Sequence, residues 1–319
     1  MPKPTTESDL RDAAEQFEKP KPIGEGEGAF QLWRACGVSR CEEAMRAHLP
    51  PSGPDETLID AMRYAALSGG KRIRALLVLA ASDMGERDGE ALDQAMAAIE
   101  FMHAYSLAHD DLPCMDNDML RRGLPTCHAR YGEANAMLAG DALQTLAFET
   151  ILKPTPLPAE RRLRAAAVLA QASGARGMAM GQAVDLNHVG KGMTLQELSA
   201  MHALKTGALI RCAVLLGHYC LKETSETTAK KLGLFGSKLG LAFQIVDDAL
   251  DATQSSQELG KTAGKDQKDG KPTYATLLGA DGAWEKAKQA TQEAIQALEG
   301  LDNADSLHRL AAAMLRRKR

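Results

Sequence analysis

Four acidic residues lie within nine positions, from Asp110 to Asp118, and two adjacent arginines, Arg121 and Arg122, follow them. Carboxylates this close repel one another, so a folded core gains nothing from collecting them unless a cation lies between them. Mg²⁺ favours such oxygen ligands and completes its shell with water and phosphate oxygens. Arginines bind phosphate through paired hydrogen bonds. The stretch therefore predicts one half of a site for a magnesium-bound diphosphate.

The segment before this cluster has the apolar spacing of a long helix over about residues 90–112, which Pro113 ends. Asp110 and Asp111 then fall on the last turn of that helix. Carboxylates there oppose the helix dipole, at a cost of roughly 0.3–1 kcal/mol each. A bound metal ion would offset this cost.

The rest of the chain is also expected to be all-α. Only 4% of its 319 residues are aromatic, and runs of Val, Ile and Thr are scarce. Residues 1–28 lack apolar periodicity and are predicted to be a disordered tail, and residues 29–319 are predicted to be one large helical domain. Helical spacing covers about 29–48, 58–67, 71–79, 90–112, 133–152, 159–180, 194–220 with a break near 205–207, 227–251, 282–299 and 304–317.

Charge and composition exclude several other classes. The net charge of −4 gives no sign of a nucleic-acid or membrane partner. No apolar run approaches the roughly 20 residues that span a bilayer, and the polar N-terminus has no secretory signal. The six cysteines show no metal-site spacing and are expected to be free thiols of a cytoplasmic protein.

A second acidic cluster follows the apolar end of a later helix, at Asp247, Asp248 and Asp251. On a helix, Asp247 and Asp251 lie one turn apart on one face. Alone, such a cluster is as often a solvated helix face as a metal site. Two clusters that each end an apolar helix predict several Mg²⁺ ions clamping one diphosphate, where they would neutralise the charge on departing pyrophosphate. The absence of paired His or Cys spacing argues against zinc or iron.

A Gly-Gly turn precedes three cations, Lys71, Arg72 and Arg74, at the start of a helix. This is either a solvated helix end or, because backbone amides are exposed beside the turn, an anion site. With this turn, the motifs together resemble those of the short-chain trans-isoprenyl diphosphate synthases, most closely the bacterial farnesyl diphosphate synthases. The resemblance covers about Leu58 to the C-terminus and rests on Gly69–Arg74, Asp110-Asp111-(four residues)-Asp116 with Arg121-Arg122-Gly123, Gly181-Gln182 with Asp185, Lys205-Thr206, and Phe243-Gln244-(two residues)-Asp247-Asp248-(two residues)-Asp251.

The resemblance implies a single large helical bundle of the isoprenoid synthase type with a central cavity. It also implies a role for each matching residue. Two of three Mg²⁺ ions would be bound by Asp110 and Asp116 and the third by Asp247, with Asp111, Asp248 and Asp251 completing the metal-site residues. Thr206 and Gln244 would stabilise an allylic cation through neutral dipoles. The allylic diphosphate would be held by Arg121, Lys205, Lys261 and, more weakly, Lys271. Isopentenyl diphosphate would be held by Lys71, Arg74, His103 and Arg122.

The implied reaction is head-to-tail condensation of isopentenyl diphosphate with dimethylallyl and then geranyl diphosphate, by a homodimer. Tyr105 lies five residues before Asp110, about 7.5 Å along the helix axis at ~1.5 Å per residue. Its ring either is ordinary core or, with Ser106, forms the floor of the product tunnel. The pair resembles the farnesyl-making members, so a fifteen-carbon product is expected.

Other assignments share part of this pattern. A geranyl or geranylgeranyl diphosphate synthase is the nearest alternative. A terpene cyclase would need no second diphosphate site, and a non-catalytic regulatory subunit would tend to lose one aspartate cluster. One departure stands out, because many relatives have a further aspartate where this chain has Met119.

Overall fold

The computed structural model describes residues 26–253 and 271–315, and there the chain is all-α apart from one short hairpin. The predicted tail lies outside the described residues up to residue 25, and its last two residues already belong to the first helix. The helices are α1 (Glu27–His48), α2 (Glu56–Leu67), α3 (Ile73–Ser82), α4 (Gly89–Asp110), α5 (Cys127–Tyr131), α6 (Glu133–Leu152), α7 (Ala159–Ser173), α8 (Met178–Asn187), α9 (Leu195–His202), α10 (Ala208–Tyr219), α11 (Glu226–Thr253), α12 (Tyr274–Ala297) and α13 (Asp305–Leu315).

Helix α4 lies at the centre of the bundle, where it contacts α1, α2, α3, α6 and α10. Its middle turns are buried on every side, including Met96, Ile99, Phe101 and Met102. A helix that is apolar all round belongs inside a protein rather than on its surface. The central position of α4 carries its C-terminal end, at Asp110, to the predicted metal site.

The second aspartate cluster is carried by α11, which packs along α12 and against α10. Apolar residues of α11, such as Ile245, Val246 and Ala249, form a second core cluster with Tyr274 and Trp284 of α12. This packing fixes which face of α11 carries Gln244 and Asp247.

The predicted break near residues 205–207 is present as a π turn, Ala203–Gly207, between α9 and α10. The capping box that begins α9 is also formed, because Thr194 and Glu197 bond each other reciprocally. A π turn holds one extra residue within a helical run and is frequent at functional sites.

Two helix predictions are wrong in detail. The helix expected over 159–180 is broken between Ser173 and Met178, where a Cβ on Gly177 would lie 2.1 Å from the Ala172 carbonyl oxygen. The helix expected to begin at residue 282 begins at Tyr274 and bends at Gly279, whose φ is 72°. Local apolar spacing shows neither the close backbone contact at Gly177 nor the bend at Gly279.

Within the part of the chain that the structure describes, one helical run, Leu195–Tyr219, is long and apolar enough to cross a membrane by length and composition, contrary to the expectation that no run approaches that length. Within the protein, 61% of its most apolar window is buried. A core helix of a soluble protein passes the same test, so the run is weak evidence for a membrane span.

Candidate active site

The first aspartate cluster is closed by the loop that follows α4. The helix ends at Asp110, and the backbone amide of Asp116 donates to the Asp110 carbonyl at 2.8 Å. Burial raises the pKa of Asp110 to about 6; Lys205 opposes this, while Asp116 and Asp111 raise the pKa further. The loop thus brings Asp116 close to Asp110, from which it is six residues away in sequence.

A two-residue hairpin presents the paired arginines. Its strands are β1 (Leu120–Arg121) and β2 (Leu124–Pro125). The turn residues Arg122 and Gly123 have φ of 54° and 76°, as the tight hairpin turns require. The sequence did not predict this hairpin, because two-residue strands carry no measurable periodicity.

The two arginines point to different parts of the site. The Arg121 guanidinium grips Asp111 as a fork, with Nη2–Oδ1 at 2.6 Å and Nε–Oδ2 at 2.9 Å. Arg122 instead donates through Nη1 to the Gly69 carbonyl oxygen in the Gly-Gly turn. The hairpin therefore connects the first aspartate cluster to the cationic turn.

The cationic turn depends on backbone conformations that favour glycine. Gly69 and Gly70 have φ of 76° and 130°, and a Cβ on Gly70 would lie 2.7 Å from the Arg122 guanidinium. His103 of α4 faces the same region. Burial lowers the pKa of His103 well below its usual value, and Arg74 and Arg122 lower it further, so its ring is neutral.

A chain of hydrogen bonds links the π turn to the second aspartate cluster. The Thr206 hydroxyl donates to Gln244 Oε1 at 3.0 Å, and Gln244 Nε2 donates to Asp248 Oδ1 at 2.9 Å. The other oxygen of Asp248 accepts the Tyr274 backbone amide at 2.9 Å. Both oxygens of buried Asp248 are engaged within the protein, so it is less suited to a metal than half-buried Asp247.

Lysine side chains connect the two sides of the site. Lys205 Nζ lies 2.5 Å from Asp185 Oδ2, and Lys271 Nζ lies 3.0 Å from Asp116 Oδ1 and 3.7 Å from Asp185 Oδ2. The predicted ligand Lys261 lies outside the described residues. Asp185 thus contacts two lysines that the resemblance assigned to substrate binding. The sequence analysis gave Asp185 a place in a motif but no role.

The predicted floor residue Tyr105 lies between α4 and α6. Its ring packs edge-on against His109 with centroids 5.1 Å apart, and Gln144 of α6 hydrogen-bonds its side chain. Ser106 is buried and donates to the His103 carbonyl oxygen at 2.8 Å. Tyr105 therefore contacts the α6 side of α4, whereas the Ser106 hydroxyl is bound to its own helix.

Glu100 was missed by sequence reasoning. It lies on α4, one turn before His103, and only 2% of it is exposed. It accepts the Ala75 backbone amide at 3.1 Å and faces Arg72. The available signal was a single acid within the apolar stretch from Ala95 to Met102.

The residues present fit Mg²⁺. Within residues 26–253 and 271–315, no three His, Cys, Asp or Glu side chains are grouped closely enough to hold a metal on their own. Mg²⁺ needs only one or two protein carboxylates when substrate phosphates supply the other oxygens. Burial is the main cause of the raised pKa of Asp110, and the nearby carboxylates of Asp116 and Asp111 raise it further, so a cation bound among these groups would favour their charged forms.

Known proteins of one kind match this chain. The polyprenyl synthetase family matches residues 55–314. The Escherichia coli farnesyl diphosphate synthase is 46% identical over 275 residues, covering 85% of this chain and 91% of its own. The Haemophilus influenzae farnesyl diphosphate synthase is 44% identical over 277 residues, covering 86% and 92%. A geranylgeranyl pyrophosphate synthase of Capsicum annuum is 41% identical over 315 residues, covering 97% and 82%.

Solved structures match the fold as well. A Zymomonas mobilis FPP/GFPP synthase superposes with a TM-score of 0.80 at 36% identity, covering 89% of this chain and 98% of its own. A Helicobacter pylori geranyltransferase, solved with magnesium and isoprenyl diphosphate, has a TM-score of 0.79 at 31% identity, covering 89% and 98%.

Proposed function

Because this chain belongs to the polyprenyl synthetase family, we propose that it joins isopentenyl diphosphate to dimethylallyl and then geranyl diphosphate, giving farnesyl diphosphate. The bacterial farnesyl diphosphate synthases at 44% and 46% identity support this product. The observation that carries the proposal is the hairpin, which places Arg121 against Asp111 and Arg122 against the Gly-Gly turn. In this proposal one of the two arginines serves each of the two diphosphates.

Three Mg²⁺ ions are proposed to bind with the allylic diphosphate. Asp110 and Asp116 would hold two of them and Asp247 the third, with Asp251 in support. When bound, the ions supply positive charge to the departing pyrophosphate. Asp111 serves this set by holding Arg121, and Asp248 serves it by orienting Gln244.

The allylic substrate lies between the two aspartate clusters in this proposal. Lys205, Arg121 and Lys271 bind its diphosphate, together with Lys261. The oxygens of Thr206 and Gln244 face the allylic cation that remains when pyrophosphate leaves. Because these oxygens are neutral, they stabilise the cation by their dipoles without capturing it.

Isopentenyl diphosphate is bound by the cationic turn in this proposal. Lys71, Arg74 and Arg122 hold its phosphates, and neutral His103 contributes a hydrogen bond rather than a charge. Its double bond attacks the allylic cation, and the proton then lost passes to the released pyrophosphate. No side-chain base is needed.

Tyr105 is proposed to end chain growth at fifteen carbons by closing the space between α4 and α6. The similarity to a geranylgeranyl pyrophosphate synthase at 41% identity favours one alternative, a twenty-carbon product. We further propose that residues 29–319 form one domain, that the chain acts as a homodimer, and that it is cytoplasmic.

The direct test is incubation with isopentenyl and dimethylallyl diphosphates and Mg²⁺, followed by sizing of the product chains. Farnesyl diphosphate is the expected product. An Asp116→Asn variant should lose about 100-fold or more in kcat, since Mg²⁺ would lose a ligand and with it the positive charge at the departing pyrophosphate would weaken. Asp118→Asn, in the same loop, should retain most of the activity. If the unsubstituted protein makes no prenyl product, the proposal is wrong.

A further inference from the structure

The cationic turn rests on a group of three charged side chains, of which Arg72 and Glu100 are buried and Glu42 is half-buried. Arg72 immediately precedes α3 with a φ of 46°, in the left-handed region that side chains other than glycine rarely adopt. Its side chain is only 4% exposed, while neighbouring Lys71 is exposed. The turn therefore directs one cation into the protein and its neighbour outward.

Two carboxylates receive the buried guanidinium. Arg72 Nη2 lies 3.4 Å from Glu42 Oε1 of α1, and Arg72 Nη1 lies 3.6 Å from Glu100 Oε2 of α4. Glu100 also accepts the Ala75 backbone amide at 3.1 Å, in the first turn of α3. The N-terminus of a helix favours negative charge, which offsets part of the excess of carboxylates over guanidinium.

This group lies directly behind the residues assigned to isopentenyl diphosphate. Lys71 precedes Arg72, and Arg74 follows it by two residues. On α4, Glu100 and His103 are three residues apart and so share a face. A buried ion cluster contributes little net stability compared with apolar packing, and its best use is to specify one arrangement.

We infer that Glu100, with Glu42, is a positioning residue for isopentenyl diphosphate: by holding Arg72 it sets the places of Lys71 and Arg74 relative to His103. This inference rests on the proposed function, and it adds residues that touch no substrate. Without Glu100, Arg72 would keep one partner, and the first turn of α3 would lose its acceptor.

The chain supplies a matched control on the same two helices. Arg40 of α1 pairs with Asp93 of α4 at 2.5 Å. Asp93 lies seven residues before Glu100, two turns away on the same face of α4, and does not reach the cationic turn. The Arg72 cluster connects α1 to α4 through Arg72, and Arg40 and Asp93 connect them directly. If these ion pairs only hold the two helices together, breaking either connection should have the same effect on the kinetics.

The test compares Glu100→Gln with Asp93→Asn in steady-state kinetics. Glu100→Gln keeps an acceptor for Ala75 but removes the charge, and we expect KM for isopentenyl diphosphate to rise about tenfold. KM for geranyl diphosphate should change less than twofold, and Asp93→Asn should change neither constant. Equal effects of the two variants, or equal shifts in both KM values, would overturn the inference.

Two more variants separate the sources of failure. Arg72→Gly removes both ion pairs while allowing the left-handed backbone, so it should reproduce the rise in KM even if Glu100→Gln does not fold. An unchanged KM for isopentenyl diphosphate in Arg72→Gly would also overturn the inference. Lys71→Ala tests the proposed binding site itself. If it leaves this KM unchanged, the site assignment fails, whereas a raised KM with normal Glu100→Gln kinetics rejects the positioning role alone.

Discussion

Lys271 Nζ lies 3.0 Å from Asp116 Oδ1, although the two residues are 155 positions apart. The Lys271 ammonium thus pairs with a carboxylate that the proposed function assigns to Mg²⁺ as a ligand. A cation of the chain and a metal ion cannot both neutralise one oxygen at full strength, so the two compete for Asp116.

Replacing Lys271 by Gln is therefore expected to tighten divalent-metal binding in the absence of substrate. The expected change is about fivefold or more, because a charge at this distance is worth over 1 kcal/mol even when partly screened. Mn²⁺ titration followed by electron paramagnetic resonance measures it. The control is Lys222→Gln, a surface residue paired with Glu86. Equal Mn²⁺ affinity in all three proteins would contradict the competition.

Gly181→Ala should displace the π turn. A Cβ on Gly181 would lie 2.1 Å from the Lys205 backbone nitrogen, which is a contact that no rotamer change can relieve. We expect a loss of about 1–3 kcal/mol in the free energy of unfolding and about a tenfold drop in kcat. Urea unfolding and steady-state assays measure the two effects. Gly192→Ala is the control, because nothing lies within 4 Å of its Cβ position, and it should leave both quantities unchanged.

Tyr105→Ala should lengthen the products. Removing the ring opens the space between α4 and α6, so a farnesyl chain could extend further before it meets a side chain. Chromatography of the dephosphorylated products measures the shift toward twenty carbons. Tyr219→Ala is the control, since Tyr219 lies beside Ala91 and Gln94 near the other end of α4. An unchanged product distribution in Tyr105→Ala would reject the floor role.

The stability of the protein should fall as the pH drops through the range where histidine titrates. Burial lowers the pKa of His218 below its ordinary 6.5. The unfolded chain then takes up a proton that the folded chain resists, so the stability is complete above about pH 6.5 and is lost below it. One such group contributes at most about 1.4 kcal/mol per pH unit.

Urea unfolding of His218→Gln at several pH values tests this contribution. The variant should show a shallower loss of stability between about pH 7 and pH 5, because glutamine does not titrate. The control is His308→Gln, because His308, on α13, is only half-buried. The same pH dependence in His218→Gln and the unsubstituted protein would exclude His218 as a source.

Features that depend on neighbouring residues could be predicted from the sequence. The end of α4 was placed within two residues because Pro113 forbids its continuation, and the capping box at Thr194 lies within four positions. Both aspartate clusters were recognisable because the repulsion of adjacent carboxylates is itself a local property.

Features that depend on distant partners could not. Asp248 looked like Asp247 in sequence, and the sequence does not show that one oxygen of Asp248 accepts the amide of Tyr274, 26 residues later. The ion cluster joins Arg72, just before α3, to carboxylates of α1 and α4. Nothing in the sequence of the turn indicates which carboxylates pair with the Arg72 guanidinium. The need for glycine at position 181 arises from the backbone of Lys205 beside it, and a single small residue on a helix gives no periodic signal of such a contact.

The π turn at Ala203–Gly207 adds one residue to a helical run. Without that residue the run could close into a regular α-helix, and the residues within the turn would move to other positions around the helix axis. Thr206 would then leave Gln244 although its identity was unchanged. The place of this hydroxyl therefore depends on the number of residues in the run as well as on their kind, so a single deletion would remove it while Thr206 itself stayed the same.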